Sequence, residues 1–122
     1  MLLGKAICPN FGVYGDFGYR TRANDVPDDL FGSAGVYVTW RSITLSGGYR
    51  HVQGLSGGDI GDPGFGTTFG FPQTKEIQQS VEASLGFTDP GGRHYALFGA
   101  KSVAGRNTGD KCVIGLAASF PF

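Results

Sequence analysis

Apolar residues recur at every second position through most of this chain. Near the end, Cys112, Ile114, Leu116, Ala118, Phe120 and Phe122 alternate with the smaller or more polar Lys111, Val113, Gly115, Ala117, Ser119 and Pro121. A period of two is that of a strand with one apolar face. The same period runs through residues 11–22, where Phe11, Val13, Gly15, Phe17 and Tyr19 oppose Gly12, Tyr14, Asp16, Gly18 and Arg20. It recurs in residues 33–40, 43–52 and 74–88. Residues 93–105 also read as a strand, but Tyr95, Leu97 and Lys101 are not clearly distinguished from Ala96, Phe98 and Ala100, and Lys101 is expected inward. Residues 1–8 look like the end of a strand. The pattern predicts about seven strands and no helix.

Turn chemistry joins them. Pro9-Asn10, Arg41-Ser42 and Asp89-Pro90-Gly91-Gly92 are short reversals,. Residues 23–32 and 53–73 are long polar or glycine-rich connections, and 107–111 is intermediate. Short and long connections alternate, so all short turns fall at one end of an antiparallel, up-and-down array. Phe11, Trp40, Phe87, Phe120 and Phe122 then lie near the short-turn end of the apolar face, and Phe17, Tyr19 and Tyr49 toward the long-loop end. Aliphatic residues and glycine fill the band between. A soluble core has no reason to sort its aromatics by height, whereas aromatic girdles mark membrane–water interfaces.

Composition narrows the class. Charged residues make up 16% of the 122 residues, below the roughly 25% of soluble domains. The 22 glycines and ten phenylalanines suit a twisted all-β protein. Formal net charge is zero, so nothing points to nucleic acid. No apolar run is long enough for a transmembrane helix, which leaves barrel strands untouched. The opening eight residues are too short for a secretory signal peptide, so any export signal is expected to be removed or upstream. Cys8 and Cys112 fall at opposite ends of the strands, too far apart for an internal disulfide.

This architecture, together with the terminal Phe120-Pro121-Phe122, resembles bacterial outer-membrane β-barrel proteins over nearly the whole chain. The resemblance implies an antiparallel transmembrane barrel of the eight-stranded class, or one closed with strands from other chains. It implies residence in the bacterial outer membrane, and contact with the lipid bilayer and with the barrel-assembly machinery that reads such a terminal strand. A homo-oligomer or other membrane subunits are further partners it allows. A pore or structural membrane subunit is the expected function, with no catalysis and no cofactor. Single-chain barrels of this kind have an even strand number, so an N-terminal strand is expected to be missing or supplied from elsewhere. Two alternatives remain: a soluble lipocalin-like barrel holding an apolar ligand, and a membrane-embedded lipid hydrolase.

Candidate chemistry lies mainly on the polar face. Asp16, Arg20, Arg50, Glu76 and Glu82 are expected in the lumen, where charged rings set ion selectivity or fill a narrow barrel with ion pairs. Asp59 and Asp62, within a glycine-rich run, have a loose likeness to a calcium loop or belong to an external loop. Phe65, Phe69 and Phe71 read as a partner contact, a plug or packing on the rim. A hydrolase would pair His51 with a loop carboxylate such as Asp59; His94 belongs to the other end.

Overall fold

The computed structural model describes residues 1–121, with every side chain among them except that of Leu2. Seven antiparallel strands follow one another: β1 (Leu2–Cys8), β2 (Phe11–Arg20), β3 (Asp29–Trp40), β4 (Ile43–Gly54), β5 (Ile77–Thr88), β6 (His94–Arg106) and β7 (Cys112–Ser119). Each pairs with its neighbour in sequence, in one up-and-down sheet. The seven strands and the absence of helix, among the described residues, bear out the alternation in the sequence. The sheet is open. β1 and β7 each have one unpaired edge, and among the described residues they do not contact each other.

Turn chemistry fixes the register at the short end. Trp40 and Ile43 pair directly across Arg41-Ser42, and Arg41 takes the left-handed conformation with φ of 54°. Its guanidinium stacks over the Trp40 ring, 5.2 Å from the centroid,. In the next hairpin Asp89 accepts from the amides of both Gly92 and Arg93, and Gly92 supplies the positive φ the turn requires,.

Register then places side chains in transverse rows. One row holds Val38, Leu45, Leu85, Leu97 and Leu116; the next holds Val13, Val36, Gly47, Ala83, Gly99 and Ile114. The bulky members of these rows are exposed, Leu116 to 83%. The opposite face carries Asp16, Ser33, Arg50, Ser80 and Ser102 in one row and is half-buried or buried throughout that row. No hydrophobic residue is buried among the described residues. The usual arrangement is thus inverted, with the apolar face out and the polar face sheltered in a barrel-like curve.

Several expectations are corrected here. Lys101 pairs with Val81 and Cys112 and lies on the exposed face, not inward. Tyr95 and Leu97 go with it. Val103 has no partner on β5 and forms a bulge, with Ser102 opposite Ser80 and Ala104 opposite Gln79. The extra residue breaks the period of two only beyond Ser102; before it the faces of β6 do not separate in the sequence because Ala96, Phe98 and Ala100 on one face are as apolar as Tyr95 and Leu97 on the other,. β2 stops at Arg20 and β3 starts at Asp29, so the connection between them is 21–28 and not 23–32. Glu76 precedes β5 and belongs to the connection 55–76. Two lysines stand on the exposed face, Lys5 opposite Val13 on the edge strand β1 and Lys101 opposite the first residue of β7.

The sheltered face is packed by rings laid across glycines on the paired strand. Tyr37 covers Gly12, Phe31 covers Gly18, Tyr14 covers Gly35, and Phe98 covers Gly115. The missing Cβ is what leaves room for each ring. At Gly35 a Cβ would strike the Tyr14 ring and also lie 2.7 Å from the Gly47 carbonyl oxygen. Gly35→Ala is therefore expected to lower stability by about 1–3 kcal/mol, as overpacking does. Gly70→Ala, with nothing within 4 Å, should stay within about 0.5 kcal/mol. Denaturant titration of the two variants gives the comparison.

Candidate functional site

The long-loop end gathers the charges. Arg20 and Asp29 pair directly at the start of the β2–β3 hairpin. Asp29 is only 2% exposed. Its carboxylate accepts from Arg20 Nη2 at 2.8 Å and from Arg20 Nε at 3.2 Å, and it also accepts from Arg22 Nη2. One buried carboxylate thus holds two guanidiniums, and Arg22 Nε is buried without an acceptor among the described residues.

The connection 55–76 closes over the neighbouring strands through its last residue. Glu76 accepts from Thr108 Oγ1 at 2.7 Å and from Lys111 Nζ at 3.1 Å. Burial acts to raise its carboxyl. The two hydrogen bonds, with the charges of Lys111 and Arg22, outweigh that and hold it below the usual range,. In the connection 21–28, Asp28 accepts from the Tyr19 hydroxyl and from the Arg22 amide. Those bonds, in that order, hold its carboxyl below the usual range.

These groups surround a cavity of about 250 Å³ lined by Arg22, Pro27, Asp29, Phe71, Glu76 and Lys111 among others. The charges that line it balance, Arg22 and Lys111 against Asp29 and Glu76. Farther along the sheltered face a second cavity of about 480 Å³ is lined by Tyr14, Ser46, Glu82, Ser84 and Phe98. Hydroxyl pairs mark the polar surface between the rings. Ser46 and Ser84 Oγ atoms are 2.7 Å apart, and Gln78 Nε2 donates to Ser102 Oγ at 2.9 Å.

Of the five residues expected in the lumen, four lie on the sheltered face. Asp16 accepts from the Ser33 hydroxyl, Arg20 holds Asp29, Arg50 stacks over the Phe31 ring at 5.2 Å, and Glu82 borders the larger cavity. Glu76 reaches the same end from a loop. They do not form one ring: Arg20 and Glu76 belong to the mouth, Asp16 and Arg50 to one transverse row, and Glu82 to the next. The key anion, Asp29, was missed by sequence reasoning, as were Arg22 and Lys111. The signal was present in Arg20 and Asp29, which close the connection 21–28 with opposite charges.

The girdle residues Phe17, Tyr19, Trp40, Tyr49, Phe87 and Phe120 are all exposed, and Phe11 is half-buried opposite Val38. Trp40, Ile43, Phe87 and Tyr95 make one row beside the short turns. Tyr95 meets Phe120 edge to face at 6.3 Å. Phe122 lies outside the described residues. In the connection 55–76, Phe65 packs edge to face against both Phe69 and Phe71, at 5.9 and 5.7 Å. Asp59 is engaged by Arg106 Nη2 and Asn107 Nδ2, each at 2.7 Å, and Asp62 accepts from the Asp59 amide. His51 pairs with Gly32 and Gln79 on the outward face. His94 Nδ1 is 3.1 Å from Thr88 Oγ1 at the other end of the sheet. No protein-family model, curated protein or solved structure matches this chain.

Proposed function

We propose that this chain forms the wall of an outer-membrane β-barrel and serves as a pore or as a structural membrane subunit, without catalysis. The observation that carries the reading is the inversion of the sheet. Rows of Val, Leu and Ile are exposed across β2 to β7, aromatics stand toward both margins, and the sheltered face bears hydroxyls, amides and charges. Water penalises an apolar surface of this extent, whereas lipid does not. A lipocalin-like barrel sets its apolar side chains inward around the ligand; here Ser46, Ser84, Gln78 and Glu82 occupy that side. The resemblance to bacterial outer-membrane barrels supports the same compartment, the same bilayer and the same assembly machinery as partners.

The rings on the sheltered face keep any passage narrow, so its cargo is water and small ions. Reconstitution tests the reading. The chain should require detergent to stay monodisperse, insert into liposomes, and expose the connection 55–76 to protease while its strands are protected. A chain that stays monodisperse in detergent-free buffer would sink the membrane assignment. Conductance of the liposomes then separates a pore from a structural subunit.

A further inference from the structure

Charge along the sheltered face changes with depth. At the mouth both carboxylates are taken up by cations, Asp29 by Arg20 and Arg22, and Glu76 by Lys111. Farther in, Asp16 and Arg50 share a row and offset each other. Glu82 comes in the next row, paired with Gly48 and Ala100. It takes part in none of the ion pairs among the described residues. Beyond it lie Gly12, Tyr37, Ser46 and Ser84, then Thr39, Thr44 and Gly86. No charged side chain stands in those rows, so Glu82 leaves an uncompensated negative charge deep on this face.

Arg50 is the cation best placed to neutralise it. Arg50 pairs with Ser80 and Glu82 with Gly48, so the two are diagonal neighbours on β4 and β5, within reach of a long side chain. The guanidinium turns the other way. It stacks over Phe31, whose partner on β4 is Val52, one row nearer the mouth. Glu82 is left to the cavity of about 480 Å³ that it lines.

The other polar groups of that cavity are hydroxyls. Tyr14, Gly35, Gly48 and Glu82 follow one another along a single row. The two glycines let the Tyr14 ring extend across β3 to β4. A Cβ on Gly35 would stand 2.5 Å from the Tyr14 hydroxyl oxygen, and one on Gly48 2.8 Å. The phenol oxygen is therefore delivered to the residue paired with Glu82. Ser46 and Ser84, bonded to each other, add two hydroxyls from the next row. No group of three or more His, Cys, Asp or Glu side chains suited to a metal ion occurs among the described residues, so the cage of a calcium site is missing. One carboxylate with hydroxyls suits a monovalent cation, which exchanges part of its hydration for these oxygens and is held weakly enough to leave again.

We propose that the Glu82 carboxylate, with the hydroxyls of Tyr14, Ser46 and Ser84, forms a station for a small monovalent cation inside the lumen, and that Glu82 makes the lumen prefer cations. The proposal rests on the barrel reading and names the class of ion it carries.

A reporter thiol tests the site in the full chain in detergent micelles. Cys8 and Cys112, both free and exposed, are exchanged for serine. Ala100→Cys then places one thiol on the sheltered face directly opposite Glu82, at the wall of the same cavity. Its rate is measured with a cationic trimethylammonioethyl and an anionic sulfonatoethyl methanethiosulfonate, each relative to free cysteine. The cationic reagent should be favoured about tenfold. Glu82→Gln should abolish that preference, and Glu82→Asp should keep most of it. At equal ionic strength, sodium chloride should slow the cationic reagent more than tetrabutylammonium chloride does. A preference that survives Glu82→Gln, a thiol closed to both reagents, or equal slowing by the two salts would each overturn the proposal. In conducting liposomes Glu82→Gln should move the reversal potential away from cation preference, and an unchanged potential would count equally against it. Liposomes that do not conduct, with the micelle result intact, would remove the pore and leave the cation station standing.

Discussion

Val36→Arg is expected to destabilise the protein in a bilayer by about 2–4 kcal/mol, the range for a cation at the midplane of a membrane barrel. Val36 sits in the row of Val13, Gly47 and Ala83, between the two sets of aromatics, and is already 46% exposed. In water a substitution at so exposed a site stays within about 0.5 kcal/mol. The size of the effect therefore separates lipid from solvent as the medium outside. Ile43→Arg, in the row that flanks the short turn, should cost only about 0–1 kcal/mol, because the penalty falls toward the interface. Denaturant titration of both variants in liposomes measures the gradient. Equal and small losses at the two positions would mean that the apolar face meets water.

The second large effect is expected at the mouth. Asp29→Ala leaves the Arg20 and Arg22 guanidiniums without their shared carboxylate. Breaking a buried ion pair costs about 3–5 kcal/mol. Arg20 is 52% exposed and rehydrates on losing its partner, so about 2–3 kcal/mol is expected here. Asp29→Asn keeps an acceptor for the guanidiniums and should lose less. In conducting liposomes Asp29→Ala also leaves the charges around the cavity one positive in excess, and the reversal potential should move toward anion preference. An unchanged reversal potential, with the protein still folded, would place the ion path away from this cluster.

The sequence carried the strands because the sheet sorts residues by polarity. It lost them where tertiary contacts outweigh local preference. Asp28 and Asp29 read as loop residues, since aspartate is poor in strands. Yet Asp29 opens β3 because its carboxylate meets two arginines and its backbone pairs with Arg20 and Gly54. Phe31 was hidden by the same error, and with it the stack beneath Arg50. Residues 74–76 have strand-like alternation but hold the connection down: Lys75 donates to the Gly58 carbonyl, and the Glu76 carboxylate is taken by Thr108 and Lys111. The pairing of rings with glycines was not legible at all. Which aromatic crosses which glycine depends on register, and register is set by turns and by the bulge at Val103.

The meander has a consequence for how the chain acquires its structure. Each strand pairs only with the next one along, so no pairing has to wait for a strand further down the chain. A two-residue reversal such as Arg41-Ser42 brings its strands together with little loss of chain entropy. Closing the connection 55–76 adds roughly 2 kcal/mol to that loss. The three tight hairpins are thus natural starting units, and joining β4 to β5 is the slow internal step.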